Sequence, residues 1–150
     1  FLRAAHARED TLSPARSIIG TRDAAALQSI IDAVCNERTV ICTAREAEFV
    51  KYATNAFHAM AVGLANELAE VAGAWDIDWN GLMPQFADKH IPANIVVSEQ
   101  GGFGGACLPK DTAALLYHAW HDRGLELPML SAMHEANLAR RPEEYGTAFE

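Results

Sequence analysis

Cysteine is scarce in this sequence and awkwardly numbered: Cys35, Cys42 and Cys107 are the only three, widely spaced and with no CxxC among them. An odd count without paired spacing argues against a disulfide framework or a zinc site, so no metal is expected and a reducing, cytosolic setting fits best. Positive charge is also in short supply. Lysine and arginine number 12 against 20 aspartates and glutamates, for a net charge of -8. That balance is the reverse of what coats nucleic acid or an anionic membrane, so neither is expected as a partner, and an anionic ligand has to be held by local groups. No uncharged run of 18 or more apolar residues occurs, and no basic stretch leads into an apolar one near the start. A membrane span and a signal peptide are not expected. An initiating methionine is missing as well; the chain opens on Phe1 and reads as a piece of something longer. What remains is 150 residues, 50% hydrophobic and 21% charged, enough for one ordinary domain with a real core.

The character of the chain changes near residue 43. Ser17–Gly20 (SIIG) and Thr39–Cys42 (TVIC) are short β-branched runs that predict strands. Between them Asp23 can cap a helix over 24–34, with Leu27, Ile30, Ile31 and Val34 at helical spacing. Strand, helix, strand in so short a span looks like the edge of an α/β domain. From Thr43 onward the pattern is helical. Thr43 and Glu46 form a capping box, and Gly73 is the expected stop of a helix of about 30 residues, roughly 45 Å long. Between Tyr52 and Ala65 its only polar side chains are Tyr52, Thr54, Asn55 and His58. A helix so apolar all round needs cover on most sides, which predicts a homodimer built on the 44–73 helix. Shorter helices are expected over 76–90, disturbed by Pro84, over 111–123, ended by Gly124, and over 128–140, ended by Pro142. The expected fold is therefore mainly α: a long-helix dimerisation domain (44–141) behind a short α/β remnant of a Rossmann domain (1–43), with a tail at 142–150.

Two segments carry chemistry. On the long helix, Lys51, Asn55, His58 and Asn66 are spaced i, i+4, i+7 and i+15 and make one narrow polar stripe on an otherwise greasy rod. A solvated face is the bland reading, but the stripe is not Glu/Lys-rich, and a lysine there needs a carboxylate or a bound anion beside it. The second segment, residues 101–111, is GGFGGACLPKD. Four glycines in five residues let backbone approach a ligand closely. The run lacks the Gly-Lys-Ser/Thr of a phosphate-binding loop and the offsets of a dinucleotide fingerprint. It delivers Cys107 to a helix start at Pro109, where free N–H groups favour the nucleophilic thiolate, with Lys110 and Asp111 alongside. A lone cysteine is more often small buried filler, the reading given to Cys35 and Cys42, but the glycines and the charged pair favour chemistry at 107. His118 and His121 share a helical face without a third ligand and are read as surface histidines; Trp75, Trp79 and Trp120 are read as packing.

These residues resemble the UDP-glucose/GDP-mannose dehydrogenase family. The match runs through EFVKYATNAFHA (48–59), Ala65-Asn66-Glu67, GGFGGACLPKD and Leu127-Pro128-Met129-Leu130, in that family's order and spacing, and residues 1–20 resemble the end of its first domain. The resemblance implies an enzyme of three parts, of which this chain covers the tail of the NAD-binding Rossmann part and the central helical part. It implies oxidation of the C6 alcohol of a UDP- or GDP-hexose to the acid with two NAD. On that reading Cys107 attacks the C6 aldehyde, giving a thiohemiacetal and then a thioester. Lys51 and Asn55 serve the oxyanion, Asp111 tunes Lys51 or steers water, and the 101–105 backbone (Gly101, Phe103, Gly104, Gly105) and Lys110 meet the substrate. His58 and Asn66 resemble the GDP-mannose branch. Ala4 stands where many members have a glutamate, Ala61 where a lysine or arginine is frequent, and no arginine lies between Arg45 and Arg123. Alone, the chain is not expected to turn over, because hydride transfer needs the cofactor domain. The competing reading is a non-catalytic helical dimerisation module; a weaker third is a small thiol enzyme pairing Cys107 with His58.

Overall fold

A computed structural model describes residues 7–14, 16–34, 38–86, 97–98 and 101–144. Ala4 and Cys35 lie outside them, as do residues 145–150 of the expected tail. Two compact units emerge, one ending at Ala53 and the other beginning at Thr54.

The first unit opens with a short helix, α1 (Ala7–Leu12), followed by β1 (Ser17–Gly20), α2 (Gln28–Val34) and β2 (Thr39–Cys42). The strands pair in parallel, Ser17 opposite Thr39 through Gly20 opposite Cys42, as a strand–helix–strand crossover requires. Asp23 does cap: its Oδ1 accepts the N–H of Ala26 at 3.0 Å, over a 3-10 turn (Ala25–Leu27) that leads into α2. The predicted apolar face of that helix is only partly inward, since Ile31 is buried but Ile30 is exposed. Val40 and Ile41 are exposed as well. Parallel strands are normally covered on both faces, so this pair carries more apolar surface than its own unit covers.

The long helix, α3 (Ala44–Ala74), begins at the expected capping box. Glu46 accepts both the N–H and the hydroxyl of Thr43 at 2.8 Å, and the Thr43 hydroxyl accepts the N–H of Glu46 at 3.3 Å. These bonds hold the Glu46 carboxyl below its ordinary pKa. The helix does not stop at Gly73. It runs to Ala74, and the chain reverses at Asp76, whose φ of 56° is left-handed, so that the N–H of Ile77 reaches back to the carbonyl of Ala72 at 2.9 Å. Asp does this work because its short polar side chain tolerates that conformation.

In the second unit α4 (Trp79–Phe86) begins three residues into the helix expected over 76–90, whose last four residues lie outside the described ones. Asp78 caps it, accepting the N–H of Gly81 at 3.1 Å, and Pro84 lies inside it. Next, α5 (Leu108–Arg123) starts three residues before the expected Asp111, because Pro109 fits the first helical turn. Gly124 ends it at φ 64°, and α6 (Pro128–Arg140) occupies the predicted span. Among the described residues no helix is long and apolar enough to cross a membrane.

Candidate functional site

The glycine-rich loop is seated from behind by α6. Phe103 is 2% exposed, and its backbone is bound on both sides by one amide: Asn137 Oδ1 accepts its N–H at 2.8 Å and Asn137 Nδ2 donates to its carbonyl at 2.9 Å. One turn further along α6, Arg140 donates to the carbonyl of Gly101 at 3.2 Å and forks onto Glu70 of α3 at 2.5 and 3.1 Å. Gly102 lies so close that a Cβ there would stand 2.5 Å from Asn137 Oδ1. Gly101 and Gly105 have φ of 78° and 82°, the left-handed region that glycine enters freely. The Phe103 ring is core.

Beyond Gly105 the chain comes to the surface. Cys107 is exposed and is the residue from which α5 departs, its carbonyl accepting the N–H of Asp111 at 2.8 Å. Asp111 is 1% exposed. A carboxylate so placed must be compensated, and it is: Asn55 Nδ2 of α3 donates to Oδ2 at 2.6 Å, and the Lys110 ammonium pairs with Oδ1. Asn55 and Lys110, both named from sequence, are thus among the partners of Asp111. Next to it Thr112 is 0% exposed, and its hydroxyl has no partner among the described residues.

The long-helix stripe divides into different roles. Lys51 is half-buried, 5.1 Å from the centroid of the Tyr52 ring, and lines a cavity of about 310 Å³ with Arg16, Ile18, Ala47 and Glu48 in the first unit. His58 is exposed. Asn66 is 3% exposed with both ends of its amide engaged, Nδ2 on the carbonyl of Val62 at 2.7 Å and Oδ1 on the N–H of Ser98 at 3.1 Å. Gly104 is half-buried in the loop. A second cavity, about 550 Å³ and largely apolar, runs along α3 and α6 and ends at the loop; Phe57, Met60, Leu64 and Met133 line it, with Gly101 and Arg140 at the loop end.

Among the described residues no cluster of His, Cys, Asp or Glu could hold a metal. His118 and His121 both turn their Nδ1 atoms onto Asp122 at 2.9 Å, which holds that carboxyl below its ordinary pKa.

Sequence reasoning named the loop and missed what seats it. Asn137, which is buried, and Arg140, which is half-buried, sit at i, i+3 on α6, and two hydrogen-bonding side chains at that spacing beside Leu130 and Met133 are the signal that was there to be read.

Residues 45–139 match the central domain of the UDP-glucose/GDP-mannose dehydrogenase family. The GDP-mannose 6-dehydrogenase of Azotobacter vinelandii is 33% identical over a match covering 97% of this chain and 34% of its own length. The UDP-glucose 6-dehydrogenase of Pseudomonas aeruginosa is 33% identical, covering 95% of this chain and 32% of that protein. Among solved structures, a UDP-glucose dehydrogenase from the archaeon Pyrobaculum islandicum superimposes with a TM-score of 0.78 at 33% identity, over 91% of this chain and 32% of that one. The chain thus spans about a third of the length of the relatives it matches.

Proposed function

This chain belongs to the UDP-glucose/GDP-mannose dehydrogenase family, and from that premise we propose that it is the central, thiol-bearing part of an NAD-dependent nucleotide-sugar 6-dehydrogenase. The observation that carries the reading is the 2.6 Å hydrogen bond between Asn55 and Asp111. It joins Asn55 of the long helix to the first turn of the helix that Cys107 begins.

On this reading Cys107 adds to the C6 aldehyde of a UDP- or GDP-hexose. The thiolate sulfur forms the new bond, and the aldehyde oxygen takes up the charge and then a proton, leaving a thiohemiacetal. Forming this adduct splits a difficult oxidation into two easier steps. Asn55 donates to the developing oxyanion, and Asp111 keeps Asn55 and Lys110 in place. After the second oxidation, water attacks the thioester carbonyl and the thiolate leaves, giving the acid. His58 and the exposed part of the glycine loop face the sugar nucleotide, with GDP-mannose the favoured substrate.

NAD supplies the oxidising power in such a reaction, but the turn after β1 does not fit it. Gly20, at the end of β1, is closed against α3, where a Cβ would meet Ala44 Cα at 2.6 Å, so the turn has no open cradle for a pyrophosphate. Hydride transfer is accordingly assigned to none of the residues here.

The same reading includes a homodimer through the 44–73 helix. Phe57, Leu64 and Val71, seven residues apart, are all exposed on α3 and form the apolar stripe that a second copy would cover.

The test is NADH production by the full-length gene product with a panel of sugar nucleotides. GDP-mannose or UDP-glucose should be oxidised, and Cys107→Ala should stop acid formation. No NADH with any sugar nucleotide, or full turnover by Cys107→Ala, would overturn the proposal.

A further inference from the structure

We infer that Asn137 is a positioning residue for the thiol at 107, acting through the backbone of Phe103; the inference rests on the reading of Cys107 as the nucleophile. Cys107 is strung between two buried anchors. Four residues after it Asp111 is fixed by Asn55 and Lys110. Four residues before it Phe103 is fixed by its buried ring and by the two hydrogen bonds of the Asn137 amide, at 2.8 and 2.9 Å. Between the upstream anchor and the thiol lie Gly104, Gly105 and Ala106, the last two exposed and Gly105 in the left-handed region. A chain with that composition has little stiffness of its own. Where the sulfur stands is set by how firmly the chain is held at its ends, and a misplacement of about 1 Å at a reacting atom can cost about 100-fold in rate.

Two further features show that the loop rests on α6. A Cβ on Gly102 would come within 2.5 Å of Asn137 Oδ1 and 3.3 Å of the Arg141 stem. Arg140 ties the Gly101 carbonyl, at 3.2 Å, to the same guanidinium that grips Glu70. Asn137 itself is 3% exposed and bonds to the backbone at Phe103, so its role is to hold the loop and not to touch the substrate.

The experiment uses the full-length gene product with Asn137→Leu and Asn137→Asp. Asn137→Leu keeps the bulk and removes both bonds. Its kcat should fall about 10- to 100-fold with KM within about threefold, and amide exchange should rise at least about tenfold across 101–107 while α3 keeps its protection. Asn137→Asp is the control for folding and chemistry together. Ionised, it accepts the Phe103 N–H but opposes the Phe103 carbonyl; protonated, it regains a donor. Its kcat relative to the parent protein should therefore climb as the pH falls from 8 to 5.5, because burial raises a carboxyl's pKa. Unchanged exchange across 101–107 in Asn137→Leu would overturn the inference. So would a uniform rise over the whole chain, or a flat pH ratio in Asn137→Asp. Turnover that survives Cys107→Ala would instead strike the reading beneath it, and the exchange data would still decide whether Asn137 seats the loop.

Discussion

Replacing Gly102 by alanine tests the contact between the glycine loop and α6 in a way that separates crowding from backbone strain. Gly102 does not have a positive φ, so alanine suits its backbone. The obstacle is Asn137 Oδ1, 2.5 Å from where the Cβ would be, whereas ordinary contact begins at 3.4 Å. The amide must recede by about 0.9 Å, and receding from residue 102 also means receding from the N–H of residue 103. That takes the 2.8 Å bond out of range and pulls its 2.9 Å companion with it. Two buried hydrogen bonds, each worth about 1 kcal/mol net and more when a buried partner is left unsatisfied, give a loss of about 2–4 kcal/mol. For a chain of this size each kcal/mol moves Tm by about 2–4 °C, so a drop of roughly 6–12 °C is expected at the middle of that range. Gly105→Ala is the contrast. Its φ is 82° with nothing within 4 Å of the added Cβ, so only left-handed strain of about 1–2 kcal/mol applies, and asparagine should cost less than alanine. A double-mutant cycle decides the matter. With Asn137→Ala already in place the crowding is gone, so adding Gly102→Ala should cost little more, leaving a coupling of about 2–3 kcal/mol. Denaturation of the four proteins gives the number, and additive losses, or a Gly102→Ala cost no greater than that of Gly105→Ala, would refute the reasoning.

Two other measurements bear on the second unit. Thr112→Val should stabilise the protein by about 1 kcal/mol, because it removes a fully buried hydroxyl with no partner among the described residues; a lowered Tm would show that the hydroxyl is satisfied. His134 has its pKa lowered from the ordinary 6.5 by burial, against a smaller opposing effect of Glu135. Its neutral form is the one that the fold prefers, so the associated stability is fully present above 6.5 and is lost as the pH falls below it toward the folded value. His134→Gln should flatten Tm between pH 7 and 5.5, a window in which the carboxyls of Glu46, Asp122 and Glu143, all with lowered pKa values, remain ionised; an unchanged slope would remove histidine from the explanation.

What was legible in the sequence was local. The capping box at Thr43 and Glu46, the β-branched runs at 17–20 and 39–42, Gly124 behind α5 and Pro142 behind α6 are decided by neighbours a few residues away, and each stands where it was expected. The end of α3 was not, because Gly73 and Asp76 can both terminate a helix and the outcome turned on which residue went left-handed. The candidate site divides in the same way. Asn55 and Asp111 were each named from their own motif, but their hydrogen bond spans 56 residues, a separation that spacing along a chain does not encode.

The long-range partners also show why the glycine loop was easier to recognise than to explain. A run of glycines announces freedom, and freedom alone cannot place a nucleophile. The order comes from α6, whose Asn137 supplies to Phe103 the donor and acceptor that a neighbouring strand would otherwise supply. Position 102 must be glycine for crowding, while 101 and 105 favour it for conformation, so one short motif answers to two different physical constraints. A reading that credits every glycine in the run with flexibility gets Gly102 backwards, since it is there to let the loop be held tightly.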